Sequence, residues 1–357
     1  MRSLAIPFKQ VFAHASAVRA QTESVLVMAA SETGNIGIGE GCPRQYVTGE
    51  MFQTCEQFFN EYQAVWATFQ NLEDINSWLE THTTEIDLNP AIWCAVELAL
   101  LDLLGKESQK SIETVVGVPE LQGNYQYSAV LGTDSLAAYQ KQLQQFVALG
   151  FTDFKIKVTG TIADDVKKVE MLNNAHVTNV RIRLDANNLW KTSCEAIDYL
   201  HQFDCPFLGI EEPVQAGDYA GCKQIYESLG VPIILDESFL RLDQFRHLED
   251  APKAWIINIR ISKMGGILRS LAIAEQAKRC GIPIIIGAQV GETSILSRVA
   301  LTVANTFREN LLAQEGGFGT YLLEYDITDR PLMFGKNGIL AVSSVENGHG
   351  HGVVCRS

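Results

Sequence analysis

The chain has 357 residues, 46% of them hydrophobic, which is enough for a large core and suggests more than one domain. Its formal net charge is −14 and no basic stripe stands out, so a nucleic-acid partner is not expected. No apolar run approaches the roughly 18 residues of a membrane span, and the first residues lack the apolar segment of a signal peptide. The eight cysteines show no CxxC pair, which favours reduced thiols over disulfides or zinc. We therefore expect a cytoplasmic protein without a membrane partner.

The first 125 residues mix strand and helix patterns. Two antiparallel strands around a turn at residues 33–35, followed by two helices, are predicted at residues 23–30, 36–40, 50–69 and 90–104. Pro90 is expected to open the last helix and Gly105 to end it. Residues 1–125 are therefore predicted to form an α+β capping domain, which the tail at about residues 335–357 completes.

From residue 126 to residue 334 the pattern becomes regular. Eight short apolar runs are predicted as strands, at residues 127–131, 154–158, 180–185, 207–211, 231–236, 255–259, 282–287 and 310–313. Helical patterns lie between several of them, at residues 136–149, 164–173 and 268–280. This number of repeated βα units predicts a parallel (β/α)8 TIM-type barrel rather than an open sheet.

Two lysines alternate at the end of the second predicted strand. Lys155 and Lys157 point to the same face because side chains in a strand alternate with a period of two. Burial and mutual repulsion both lower the pKa of a lysine, and a lysine of lowered pKa can act as a base. The run that continues the sixth strand ends at Lys263, opposite the second strand across the barrel. The alternative is that the first two lysines are solvated residues at a strand end.

The third, fourth and fifth predicted strands each end in an acidic residue: Asp185, Glu211 and Asp236. In a barrel of parallel strands these positions meet at one rim, where catalytic residues lie. Carboxylate oxygens without nearby histidine or cysteine favour Mg²⁺ or a similar hard cation. Helix capping or loop contacts are the alternative for any single one of these acids.

Five motifs in order connect these residues: Lys155-x-Lys157, Asp185-Ala-Asn, Glu211-Glu-Pro, Asp236-Glu-Ser and Lys263-Met-Gly-Gly. Together they resemble the enolase superfamily, in its muconate-lactonizing branch, and the resemblance covers the whole chain. That branch includes dipeptide epimerases, N-acylamino acid racemases, o-succinylbenzoate synthases and muconate cycloisomerases. No histidine ends a predicted barrel strand, which separates the chain from the mandelate-racemase branch. His349 and His351 are expected in a solvated tail.

The resemblance implies a role for each motif. The residues implied as ligands of Mg²⁺, or of Mn²⁺ in its place, are Asp185, Glu211 and Asp236. Lys157 and Lys263 would form an acid/base pair on two faces of the substrate. Lys155 would stabilise an enediolate and lower the pKa of Lys157. A lysine base with Mg²⁺ is the general pattern of this superfamily.

The implied activity is that of an isomerase: removal of the proton next to the carboxylate of a small-molecule substrate, in a racemase or epimerase of dipeptides or N-acylamino acids. The alternatives are a cycloisomerase, a dehydratase like o-succinylbenzoate synthase and, more remotely, a metal-binding barrel without catalysis. We expect a homo-oligomer.

Substrate contacts are expected from two cap loops and from the last two strands. In the loops, residues 10–19 and 41–49, Arg44 and Tyr46 are candidates, with loop packing as the alternative. After the strands the candidates for binding a substrate ammonium are Glu292, Glu315 and the Glu324/Asp326 pair. Dipeptide epimerases of the family usually carry Asp-x-Asp here, and this chain does not clearly do so. Pairing of these acids with Arg298, Arg308 or Arg330 is the alternative.

Overall fold

The structure, a computed structural model, describes residues 1–14, 17–132, 135–344 and 348–356. Its N-terminal part contains five strands: β1 (Arg2–Leu4), β2 (Pro7–His14), β3 (Ala17–Gln21), β4 (Ser24–Ala30) and β5 (Ile36–Gly41). Strands β1, β4 and β5 form one antiparallel sheet, and the predicted turn between β4 and β5 is confirmed. Strands β2 and β3 pair where a loop was predicted at residues 10–19. Residues 15 and 16 of that loop lie outside the described residues.

Among the described residues of the cap, six helices follow: α1 (Gln45–Thr48), α2 (Phe52–Trp66), α3 (Leu72–Thr81), α4 (Thr83–Leu88), α5 (Pro90–Ser108) and α6 (Ile112–Val116). Helix α5 is buried over most of its length and contacts both the cap sheet and the barrel. The prediction that it ends at Gly105 is wrong. A Cβ atom on Gly105 would lie 2.5 Å from Gly350 Cα, so this glycine permits close packing instead of ending the helix.

The barrel strands are β7 (Ala129–Leu131), β8 (Asp153–Lys157), β9 (Arg181–Asp185), β10 (Ile210–Glu211), β11 (Ile233–Leu235), β12 (Trp255–Ile259), β13 (Ile284–Ile286) and β14 (Leu311–Gln314). All are parallel and adjacent in sequence order. A hydrogen bond of 2.8 Å from Ser128 N to Gln314 O joins the last strand to the first. The predicted (β/α)8 barrel is therefore confirmed.

In the described part of the chain, seven helices lie along the barrel: α7 (Leu136–Ala148), α8 (Ile162–Asn174), α9 (Ser193–Leu200), α10 (Tyr219–Leu229), α11 (Ile261–Met264), α12 (Ile267–Cys280) and α13 (Ser294–Thr306). The three helices predicted from the sequence correspond to α7, α8 and α12. None of the described helices combines the length and apolar character that crossing a membrane requires.

Buried carboxylates join the cap to the barrel. Glu97 in α5 accepts a hydrogen bond of 3.0 Å from Leu268 N, in the first turn of α12. Glu40 in β5 accepts hydrogen bonds from the backbone amide and the hydroxyl of Thr293, the N-cap of α13. Because the amides at a helix N-terminus lack partners within the helix, acids at these positions satisfy them. The cap is thereby held against the side of the barrel that carries α12 and α13.

The tail contacts both parts of the chain. Strand β6 (Asn124–Gln126) pairs with β15 (Ile339–Ala341). Further along, His351 Nε2 lies 2.8 Å from Ile38 O in the cap sheet. The expectation of a solvated tail is therefore wrong for His351, which is fully buried, while His349 is exposed. The domain boundaries near residues 125 and 335 stay a prediction.

Candidate active site

The three rim acids lie at the carboxyl ends of neighbouring strands. Asp185 is paired in register with Glu211, and Asp236 directly follows the next strand, β11. All three side chains are buried. Burial raises the pKa of Glu211 to about 8; Lys155 opposes this rise, and the nearby acids add to it. At Glu211, burial and the neighbouring acids therefore outweigh the attraction of Lys155.

Lys155 and Lys157 both reach Asp185, as their predicted common face requires. Lys155 Nζ lies 2.7 Å from Glu315, 3.0 Å from Glu211 and 3.6 Å from Asp185. Lys157 Nζ is more exposed and lies 3.5 Å from Asp185. Burial alone would lower the pKa of Lys155, but Glu211 and Glu315 outweigh burial and raise it. Burial therefore does not lower the pKa of Lys155, because the carboxylates around it dominate.

Lys263 lies on the far side of the same rim. It belongs to the short helix α11 and not to the sixth strand, which ends at Ile259. Its ammonium donates to Asp236 Oδ1 at 2.8 Å and to Asn258 O at 2.8 Å. Strands β8 and β12 are four positions apart in an eight-stranded barrel, so Lys157 and Lys263 approach the rim from opposite sides.

Arg260 was not singled out from the sequence. Its guanidinium forms an ion pair with Asp236, lies 3.7 Å from Glu211 and donates to Gln289 at 3.1 Å. The signal was present, because Asn258 and Arg260 are alternate polar positions in the otherwise apolar run of residues 255–261, within which the strand ends at Ile259. Such residues point into the barrel together, as the lysines of β8 do.

The rim acids differ in arrangement from a ready metal site. Among the described residues, no three His, Cys, Asp or Glu side chains are grouped to hold a metal ion. The cations of the chain lie between the acids: Lys155 contacts Asp185 and Glu211, and Arg260 contacts Glu211 and Asp236. Three buried carboxylates, one with a raised pKa, nevertheless form a donor set that fits Mg²⁺. A divalent cation would replace these side chains as the counter-charge.

Glu212 stabilises the backbone of the rim at Asp236 and Ser238. Its carboxylate accepts hydrogen bonds from Asp236 N at 2.6 Å and from Ser238 N at 2.8 Å. Its backbone has a φ of 40°, and Asn187 and Asn188, which follow Asp185, have φ values of 48° and 58°. Such conformations are uncommon outside glycine and cluster at functional sites. Glu212 belongs to the Glu211-Glu-Pro motif, which predicted no role for it.

Glu315 lies inside the barrel between two cations. One carboxylate oxygen lies 2.7 Å from Lys155 Nζ, and the other accepts a hydrogen bond of 2.6 Å from Arg183. Pairing of this acid with an arginine was the alternative to ammonium binding. The arginine, however, is Arg183 on β9 and not one of the three close in sequence, of which Arg298 pairs with Glu113.

The other acids after the last strands lie in different surroundings. Asp326 is buried and accepts hydrogen bonds from the backbone amides of Ser294 and Thr328 at 3.4 and 3.3 Å, which favours capping of α13 over substrate binding. Glu324 is exposed. Glu292 is half-buried and accepts a hydrogen bond of 2.6 Å from the amide of Gln289, and burial raises its pKa to about 8.

The two cap-loop candidates, Arg44 and Tyr46, also lie in different surroundings. Arg44 is buried and donates to the carbonyl oxygens of Pro43 and Val290, both at 2.7 Å. These bonds tie the cap loop to the loop after β13, so they favour the loop-packing alternative. Tyr46 is exposed, with the Arg19 guanidinium 5.4 Å from its ring. Its role in substrate binding stays a prediction.

Known proteins share this architecture. An L-Ala-D/L-Glu epimerase of Francisella tularensis subsp. novicida is 27% identical over 302 residues, 84% of each chain. An N-succinyl-L-Arg/Lys racemase of Bacillus cereus is 24% identical over 303 residues, 85% of this chain and 82% of its own. The solved structure of a dipeptide epimerase from Enterococcus faecalis V583, complexed with Mg and the dipeptide L-Leu-L-Tyr, is 25% identical; its TM-score is 0.83, and 99% of this chain and 97% of that chain are covered. The family model described as Enolase C-terminal domain-like matches residues 138–356. The chain therefore belongs to the Enolase C-terminal domain-like family of the enolase superfamily, as its five motifs predicted.

Proposed function

We propose that the protein is a metal-dependent isomerase that removes and returns the proton on the carbon next to a substrate carboxylate. The observation that carries the proposal is the placement of Lys157 and Lys263 on opposite sides of the rim acids. Inversion at a carbon atom requires that one group takes the proton from one face and that another group delivers a proton to the other face.

The two lysines would act on opposite faces of the reacting carbon. Lys157, as the neutral amine, takes the proton from one face, and the ammonium of Lys263 donates a proton to the opposite face. For the other enantiomer the two roles are exchanged. Lys155 stays charged beside the substrate carboxylate, where negative charge grows as the enediolate forms. Mg²⁺ held by Asp185, Glu211 and Asp236 would supply further positive charge for that carboxylate.

The substrates that we propose are dipeptides or N-acylamino acids. The support comes from the relatives, one an epimerase of the dipeptide L-Ala-D/L-Glu and another a racemase of N-succinyl-L-Arg/Lys. In both substrate classes, the amide nitrogen and the carboxylate are bonded to the reacting carbon. The homo-oligomeric state and the cytoplasmic location stay predictions.

The proposal is tested by exchange of the α-proton in D₂O, followed by ¹H NMR and mass spectrometry. L-Ala-L-Glu, L-Leu-L-Tyr and N-succinyl-L-arginine are incubated with the protein and Mg²⁺, and the products are separated on a chiral column. Deuterium at the α-carbon together with the second stereoisomer is the expected result. Exchange that ends in loss of water or in ring closure would favour the dehydratase or cycloisomerase alternatives. The absence of exchange with every carboxylate of a broad panel would contradict the proposal.

A further inference from the structure

Glu315 is the carboxylate in shortest contact with Lys155. Three acids surround this ammonium, and the distances are 2.7 Å to Glu315, 3.0 Å to Glu211 and 3.6 Å to Asp185. Glu211 and Asp185 are proposed metal ligands, whereas Glu315 is not. Glu315 would therefore still be available to pair with Lys155 when Asp185 and Glu211 bind a cation.

Glu315 is itself held in place. Its second oxygen accepts a hydrogen bond of 2.6 Å from Arg183, whose guanidinium also donates to Ser128 Oγ at 2.6 Å and to Asp153 at 2.9 Å. Arg183 and Glu315 are both buried, and Arg183 is fully so. A buried guanidinium that donates to three partners of the packed barrel is held in one position. Both oxygens of Glu315 are thus engaged by cations of the chain itself.

We propose that Glu315, fixed by Arg183, is a positioning residue that holds the Lys155 ammonium at the rim while Asp185 and Glu211 bind the metal. The proposal rests on the function proposed above and deepens it. A divalent cation bound by Asp185 and Glu211 would balance their negative charge. Lys155 would then be repelled by the cation unless another anion kept it in place. Glu315 is that anion. It follows that Glu315 does not bind an ammonium group of the substrate.

The first test measures Mg²⁺ binding by isothermal titration calorimetry. Glu315→Gln keeps the size of the side chain but removes the negative charge that holds Lys155. The ammonium would then oppose the cation at Asp185 and Glu211, so Mg²⁺ should bind about tenfold more weakly than to the wild type. Glu315→Asp should lie between the two, since it keeps the charge and loses reach. Glu309→Gln, at an exposed position six residues earlier in the chain, is the matched control and should bind Mg²⁺ as the wild type does.

A double-mutant cycle separates an action through Lys155 from a general effect of charge. In a Lys155→Met background, Glu315→Gln should change Mg²⁺ affinity less than about twofold, because the ammonium that it positions is gone. An undiminished tenfold loss in that background would overturn the proposal. No measurable Mg²⁺ binding by the wild type would overturn both this proposal and the proposed function.

The second test uses α-proton exchange on L-Leu-L-Tyr and on its N-acetyl derivative. Glu315→Gln should lower kcat by the same factor for both substrates, with little change in KM, and Glu315→Asp should recover part of the loss. A loss confined to the free amine would identify Glu315 as an ammonium-binding residue and overturn the proposal. If the wild type exchanged neither substrate, that result would count against the proposed substrates, and the calorimetric cycle would still decide the role of Glu315.

Discussion

Lys263 donates hydrogen bonds to two oxygens of Asp236, the carboxylate Oδ1 at 2.8 Å and the main-chain oxygen at 2.6 Å. A third bond of 2.8 Å goes to Asn258 O, so all three protons of the ammonium are engaged. The proposed acid/base group and the proposed metal ligand are thus fixed relative to each other. A change at either residue is expected to affect the other.

We expect activity to require a divalent metal bound at the rim. Chelation with EDTA should abolish turnover, and Mg²⁺ or Mn²⁺ should restore it. Asp236→Asn should weaken Mg²⁺ binding at least about tenfold, because it removes one anionic ligand, while circular dichroism shows a folded protein. Asp243→Asn, at an exposed position nearby, is the control. Full activity after exhaustive chelation would reject the metal requirement.

The two lysines on opposite sides of the rim should both be needed for inversion. Lys157→Ala and Lys263→Ala should each lower the rate of racemisation at least about 100-fold, the range of general acid–base catalysis. Each variant should still exchange the α-proton of one enantiomer, since one base remains. Lys167→Ala, an exposed lysine on α8, serves as the control. Racemisation in both directions by Lys263→Ala would show that the two-base mechanism is wrong.

Glu97 should make stability depend on pH. Burial raises the pKa of this carboxyl group from 4.5 to about 7, although amide hydrogen bonds at α12 oppose the rise. Between about pH 4.5 and pH 7 the folded protein keeps a proton that the unfolded chain has lost. The free energy of unfolding therefore falls as the pH rises through this window and levels off above it.

Replacement by Gln should flatten this profile. Glu97→Gln should reduce the fall between pH 4.5 and pH 8 by roughly 3 kcal/mol at most, the equivalent of the raised pKa. Urea unfolding of wild type and variant at a series of pH values measures this, with the exposed Glu80→Gln as control. Parallel profiles for wild type and Glu97→Gln would contradict the assignment.

Gly105 should tolerate no larger side chain. Alanine favours helices over glycine, yet a Cβ here would lie 2.5 Å from Gly350 Cα and 2.6 Å from Gly350 N, which are backbone atoms of the tail. Gly105→Ala should lower the free energy of unfolding by about 1–3 kcal/mol and make the tail more susceptible to proteolysis. The exposed Ser108→Ala in the same helix should not. A stabilised Gly105→Ala protein would show that the tail does not pack against α5.

The barrel and the grouping of the candidate site residues followed from local patterns. A period of two placed Lys155 and Lys157 on one face, and both contact Asp185 in the structure. Parallel strands end at a common rim, which is why Asp185, Glu211 and Asp236 could be grouped from their positions alone. Strand ends and alternation are properties of neighbouring residues, and so they can be read along the chain.

Which group pairs with which was decided only by the tertiary structure. Arg183 and Glu315 are 132 residues apart, and His351 reaches Ile38 across 313 residues. Sequence proximity pointed instead to arginines near Glu315. His351 was expected in a solvated tail because of its place near the end of the chain. A buried charge takes whichever partner lies within a few ångströms after folding, because the cost of leaving it unpaired exceeds any preference for near neighbours along the chain.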